Sequence, residues 1–181
     1  MGVTAFFFAA EGSIDEVEAA LRALFPDLLG GLAARPRNEG SVVEAIYRND
    51  DDVLLALWRD GDHTGFAEST LGLFDEERLP RLSARLGRVI AVCIGDHGGS
   101  YVLHVYEGGR LRRALNNARA AEGEPLPQET GVSSRVDESS ILSIWQAFGL
   151  TDFFEGVPPL RVLASEPSAA DFRPKPWWKF W

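Results

Sequence analysis

The tripeptide Gly-Asp-His occurs twice, at Gly61-Asp62-His63 and Gly95-Asp96-His97, each time just after an apolar run. If the two turns converge, Asp62, His63, Asp96 and His97 offer two imidazoles and two carboxylates, a donor set that suits zinc or a similar divalent ion. Metal sites more often announce themselves by two ligands on one rigid element, and neither copy has that spacing. Gly, Asp and His are also ordinary turn residues, so the spacing favours plain turns and no metal or cofactor. Gly95 to Ser100 also holds a Ser, a His and an Asp, but triads assemble from distant segments, and no Gly-x-Ser-x-Gly elbow is present. The same stretch lacks the Lys-Ser/Thr of a phosphate loop and precedes a strand-like run, not a helix. His104 lies in Tyr101-Val102-Leu103-His104-Val105-Tyr106, where alternation puts it on the same face as Val102 and Tyr106. A general base and a packed half-buried histidine are both open to it, and the strand context favours the second. Cys93 has no basic neighbour in sequence and reads as a buried, inert thiol.

Carboxylates are the more informative group. They cluster at Asp15-Glu16 with Glu18, Asp50-Asp51-Asp52, Asp60 with Asp62, Asp75-Glu76-Glu77, Glu122 with Glu124, and Asp137-Glu138. Several of these suit helix caps and solubility. Asp50, Asp51, Asp52, Asp60 and Asp62 lie at the two ends of one expected strand, where loops can gather charge that steers a basic partner. Three of the five tryptophans fall in the last five residues. Trp177, Trp178 and Trp181 would form an exposed apolar patch unless they dock on the chain's own sheet or anchor a partner.

The elements that must position these residues follow from periodicity. Val3 to Ala9 reads as a buried strand, and Ser13 with Glu16 forms a capping box ahead of an apolar face at Ile14, Val17, Leu21, Leu24 and Leu28. Residues 29–40 read as a surface connection. Val42 to Tyr47 and Val53 to Trp58 read as a hairpin joined through Asn49 to Asp52. A less regular run, Phe66 to Phe74, leads into a helix beginning near Pro80 with Leu79, Leu82 and Leu86 on its core side. Arg88 to Ile94, Ser100 to Tyr106 and Arg110 to Leu115 form a meander. Residues 116–135 read as a long polar loop, Asp137 caps a last helix carrying Ile141, Leu142, Trp145 and Phe148, and Leu160 to Ala164 adds a strand. The expected fold is α+β, a mostly antiparallel sheet with helices packed on one face. The order strand, helix, strand, strand at residues 3–59 and again at 66–107 leaves open two pseudo-equivalent βαββ halves. The expected organisation is a single domain over 1–173, with halves at 1–60 and 61–116 and a helical segment at 137–156, followed by an aromatic tail at 174–181.

Composition bounds the function. The chain has 181 residues, 45% hydrophobic and 25% charged, which is globular usage and excludes disordered, collagenous and coiled-coil classes. Eighteen Lys and Arg against 27 Asp and Glu leave a net charge of −9, which repels phosphate backbones and excludes nucleic acid as the main partner. No apolar run approaches the roughly 18 residues of a membrane span, and the start lacks the basic region of a signal peptide. With one cysteine and no internal disulfide, the cytoplasm is the expected compartment.

Tyr106-Glu107-Gly108-Gly109-Arg110, then Glu122 to Pro127, then Asp137 through Leu150 resemble a layout shared by small bacterial proteins, some of immunity-protein type. The resemblance covers about a quarter of the chain and implies a partner-binding role without assigning any residue to it. The resulting expectation is a non-enzymatic module that binds and neutralises a basic protein such as a toxin. In it, Asp50, Asp51, Asp52, Asp60 and Asp62 steer, and Trp177, Trp178 and Trp181 anchor. The alternative is a small-molecule-binding or metal-dependent enzyme with its cleft between the two halves, using Asp62, His63, Asp96 and His97.

Overall fold

Phe6-Phe7-Phe8-Ala9-Ala10 alternates between two apolar surroundings, because the strand it belongs to is covered on both sides. In the computed structural model, which describes residues 4–36, 40–46, 53–69, 71–95, 99–131, 136–152 and 157–165, that strand is β1 (Thr4–Glu11). Phe7 and Ala9 enter one core and Phe8 and Ala10 the other. A strand buried on both faces carries a continuous apolar run and not an alternating one.

From β1 the chain passes through α1 (Ile14–Leu24), α2 (Pro26–Leu29), β2 (Leu32–Pro36), α3 (Val42–Glu44), β3 (Val53–Asp60) and β4 (His63–Glu68). It continues through α4 (Arg78–Leu86), β5 (Arg88–Gly95), β6 (Ser100–Glu107), β7 (Arg110–Asn116), β8 (Glu122–Gly123), α5 (Glu138–Ala147) and β9 (Arg161–Ser165). The nine strands form one sheet in the order β2-β9-β3-β4-β1-β5-β6-β7-β8. Each pairing among them is antiparallel. The fold is therefore α+β with an antiparallel sheet, as expected. None of the described helices is long and apolar enough to cross a membrane.

The helices are not confined to one face. Val17 and Leu21 of α1 and Leu79 and Leu82 of α4 pack with Phe8, Leu57, Phe66, Ala91 and Tyr106. Ile141, Ile144 and Trp145 of α5 pack on the opposite side with Phe7, Trp58, Ile90, Val92 and Leu103. The reason lies in the central strands, whose residues are apolar on both sides, so each face needs its own cover. Phe8 and Phe66 stack at 4.7 Å between centroids and are fully buried, each contributing about 2–3 kcal/mol of apolar transfer.

Local chemistry explains most of the ends. The Ser13 side chain accepts from the Glu16 N–H, and the Glu16 carboxylate accepts from the Ser13 N–H at 2.7 Å, as the capping box predicts. Asp137 caps α5 by accepting from the Ser140 N–H at 2.9 Å. The segment from Val42 differs from expectation: it is helical, not a strand. Ser41 accepts from the Glu44 N–H and Glu44 accepts from the Ser41 N–H, so a second capping box overrides the β-branched pair. The hairpin is instead β3–β4, turning at Gly61, whose φ is 58°, and Asp62. Residues 29–40 likewise contain more than a connection, since β2 forms an edge strand on β9.

Residues 66–107 follow the expected order as β4, α4, β5 and β6, but residues 3–59 run β1, α1, α2, β2, α3, β3 and do not match it. β1 pairs with both β4 and β5, so the two stretches share one continuous sheet. Across the β3–β4 pair, Gly65 lies opposite Trp58, and a Cβ on Gly65 would overlap the indole ring. Glycine in this strand lets the ring lie on the backbone.

Candidate functional site

A cleft of about 480 Å³ opens over the β6–β7–β8 end of the sheet, on the same face as α4. Period two along β6 turns Val102, His104 and Tyr106 toward it. The register sets Asn116 beside Val102, Ala114 beside His104 and, across a bulge, Leu111 beside Tyr106. β8 adds Glu122 opposite Ala114. The connection from β4 to α4 supplies the other wall through Phe74 and Glu76, and Arg119 closes the rim.

Both walls are pinned from behind. Phe74 donates its N–H to the Glu68 carboxylate at 3.1 Å, and its ring lies 5.6 Å from Phe6 and 6.3 Å from Phe8. Asp75 accepts from the N–H groups of Glu77 and Arg78, and Arg78 donates to the carbonyl of Gly72 at 2.6 Å. On the far side, Arg113 points to the opposite face of β7 and binds Glu129 through two bonds of 2.7 and 2.6 Å. It also donates to the carbonyl oxygens of Glu122 and Gly123. This clamp brings the returning loop, and with it Glu122, alongside β7. Gly123 has φ 83° and lies so close to the Arg112 carbonyl that a Cβ would collide with it.

The floor is aromatic. Phe74 and His104 lie 5.3 Å apart, and His104 meets Tyr106 edge-on at 6.1 Å. Nδ1 of His104 is buried and has no hydrogen-bond partner among the described residues. Burial holds its imidazole below the usual histidine range, with Glu76 and Glu122 pulling the other way. Burial also pushes the Tyr106 hydroxyl up, with Glu76 and Asp75 adding to the effect. The cleft therefore presents a neutral imidazole, a protonated phenol and rim carboxylates. Chemically this arrangement can receive a positively charged group on aromatic faces. A second, more open groove of about 790 Å³ between α1 and α4 carries charges of both signs, Glu11 and Glu16 with Arg81 and Arg85.

The residues singled out from sequence are distributed differently. Asp60 is 6% exposed and faces inward, accepting from the Thr151 N–H at 2.8 Å and the Thr151 hydroxyl at 2.9 Å. The Thr151 carbonyl in turn accepts from Trp145 Nε1 at 2.9 Å, so Asp60 ties the β3–β4 turn to the end of α5. Asp62 is exposed at the tip of that turn. His63 opens β4 opposite Asp60 and Glu11, and its Nε2 is buried without a hydrogen-bond partner among the described residues. Asp50, Asp51, Asp52, Asp96, His97, Trp177, Trp178 and Trp181 lie outside the described residues. Among the described residues, no group of three or more His, Cys, Asp or Glu is placed to hold a metal ion. Burial pushes the Cys93 thiol up to about 11.

Glu76 and Glu122 belong to acidic clusters visible in the sequence, and the shared face of Val102, His104 and Tyr106 is visible in the alternation. Their convergence with Phe74 is not, because it depends on a connection without periodicity and on the Arg113 clamp. The fold defines an α+β protein with a cleft on one end of its antiparallel sheet. No family model, curated protein or solved structure matches the chain.

Proposed function

We propose that this chain is a non-enzymatic binding protein of the immunity or inhibitor type, which captures a basic protein partner and neutralises it. The observation that carries this reading is the sign of the charge around the cleft. Glu76 and Glu122 line it against the one guanidinium of Arg119, within a chain of net charge −9. Carboxylates gathered at the mouth of a concave surface raise the encounter rate with a basic protein and suppress acidic competitors. His104 lies against the rings of Phe74 and Tyr106 and its Nδ1 has no hydrogen-bond partner among the described residues, which supports binding more than proton transfer. Asp62 is available for steering at the β3–β4 turn, with Asp50, Asp51 and Asp52 preceding that hairpin in sequence and Trp177, Trp178 and Trp181 as anchors in the tail. Asp60 is already held by Thr151 and contributes by placing the turn.

Affinity capture of the tagged chain from lysate of its native source, at low and high salt, tests the reading. A single basic protein captured stoichiometrically, with association slowed by salt and by the E76K/E122K double variant, is the expected result. Capture indifferent to salt and to both reversals contradicts it.

A further inference from the structure

We propose that the cleft is a receptor for the guanidinium or ammonium head of a basic side chain presented by the protein partner, seated on the aromatic floor between the carboxylates of Glu76 and Glu122. The inference deepens the reading above and rests on it. Three features argue for this occupant. The half-buried Phe74 and His104 rings lie 5.3 Å apart at one hollow, with the buried Tyr106 edge-on to His104 at 6.1 Å, and an aromatic ring such as that of Phe74 attracts a cation where it repels an anion. Two carboxylates face one guanidinium, that of Arg119, around the same hollow, so its formal charge is negative while His104 is neutral. Leu111, 40% exposed, supplies an apolar wall against which the methylene stem of lysine or arginine packs. The volume of about 480 Å³ is ample for such a side chain. The walls are held by Arg113 on Glu129 and by Glu68 on Phe74, so the seat exists before the partner arrives and little ordering is needed on binding.

The test uses the full chain and NMR, following the amides of residues 100–116 and the His104 imidazole. The probes are N-acetyl-arginine amide and N-acetyl-lysine amide, with neutral N-acetyl-norleucine amide as the control. The expected result is saturable shifts at the cleft with the cationic amides, and binding at least about tenfold weaker with the neutral one. The exposed pair E76Q/E122Q, confirmed folded by its spectrum, weakens the cationic amides by about tenfold or more, whereas R119Q leaves them unchanged or tightens them. Equal binding of the neutral amide overturns the proposal in favour of a merely apolar hollow. Loss in R119Q with retention in E76Q/E122Q overturns it in favour of an anion site. If no cationic amide titrates, yet a basic protein is captured and salt slows its association, the inference falls and the broader reading stands. If the amides titrate as expected but no basic protein is captured, the protein-borne source falls together with that reading, leaving a receptor for a free organic cation.

Discussion

Asp60 and His104 illustrate how a polar residue's surroundings decide what it does. Asp60 was legible in the sequence as a turn carboxylate, and nothing in the sequence indicates that Thr151, ninety-one positions away, occupies both its oxygens. Replacing it by alanine strands the Thr151 N–H and hydroxyl, and the expected loss is about 2 kcal/mol in urea unfolding. An unchanged midpoint would contradict the role assigned to it. His104 carries a pH dependence of defined sign. Its folded-state value lies below the ordinary one because burial disfavours the charged ring. As pH falls below about 6.5, the unfolded chain takes up the proton before the folded chain does, so stability declines on acidification from that point. His104→Gln is expected to flatten that part of the stability–pH curve. A slope equal to that of the parent protein would assign the effect elsewhere.

At the scale of elements, the returning loop depends on one arginine. The sequence suggests a long polar loop over residues 116–135, without the short strand β8 or the 3-10 turn at Pro127–Glu129 that its described part contains. It does not reveal that Arg113, on the face of β7 opposite the cleft, closes the loop through Glu129 and the carbonyls of Glu122 and Gly123. Both partners of this ion pair are largely buried, their side chains 9% and 16% exposed, so breaking it leaves a carboxylate without its counter-charge. Arg113→Met is expected to cost about 3 kcal/mol and to raise amide hydrogen exchange across residues 117–131 before it affects β5 or β1. Exchange that rises uniformly over the sheet would indicate that the clamp is not local. α3 shows the opposite balance. There a Ser-x-x-Glu signal was present in the sequence, and its two hydrogen bonds outweighed the β-branched residues that suggested a strand.

For the molecule as a whole, the decisive arrangement is the position of β1 and β5 at the centre of one nine-stranded sheet. Cys93 sits in β5 opposite Phe6 of β1 and Val102 of β6 and is 8% exposed, so its thiol is largely shielded while the sheet is intact. Together with a thiol pushed up to about 11 by burial, this predicts negligible alkylation by iodoacetamide at pH 8 in native buffer. The labelling rate is expected to rise with denaturant in step with global unfolding measured by circular dichroism. Rapid labelling without denaturant would mean that β5 opens locally.

Taken by itself, the sequence determined the local structure: the Ser13 and Asp137 caps, the β5–β6–β7 meander, the shared face of Val102, His104 and Tyr106, and an acidic chain of α+β class. These properties reside in neighbouring residues, where propensity, capping and period two act over a few positions. Only the tertiary structure decided which face each helix covers, that Asp60 turns inward, and that Glu76 from one acidic cluster and Glu122 from another line one cleft with Phe74 and His104. Those outcomes depend on strand order and on contacts between distant segments, for which pairing register and burial, not local pattern, set the energy.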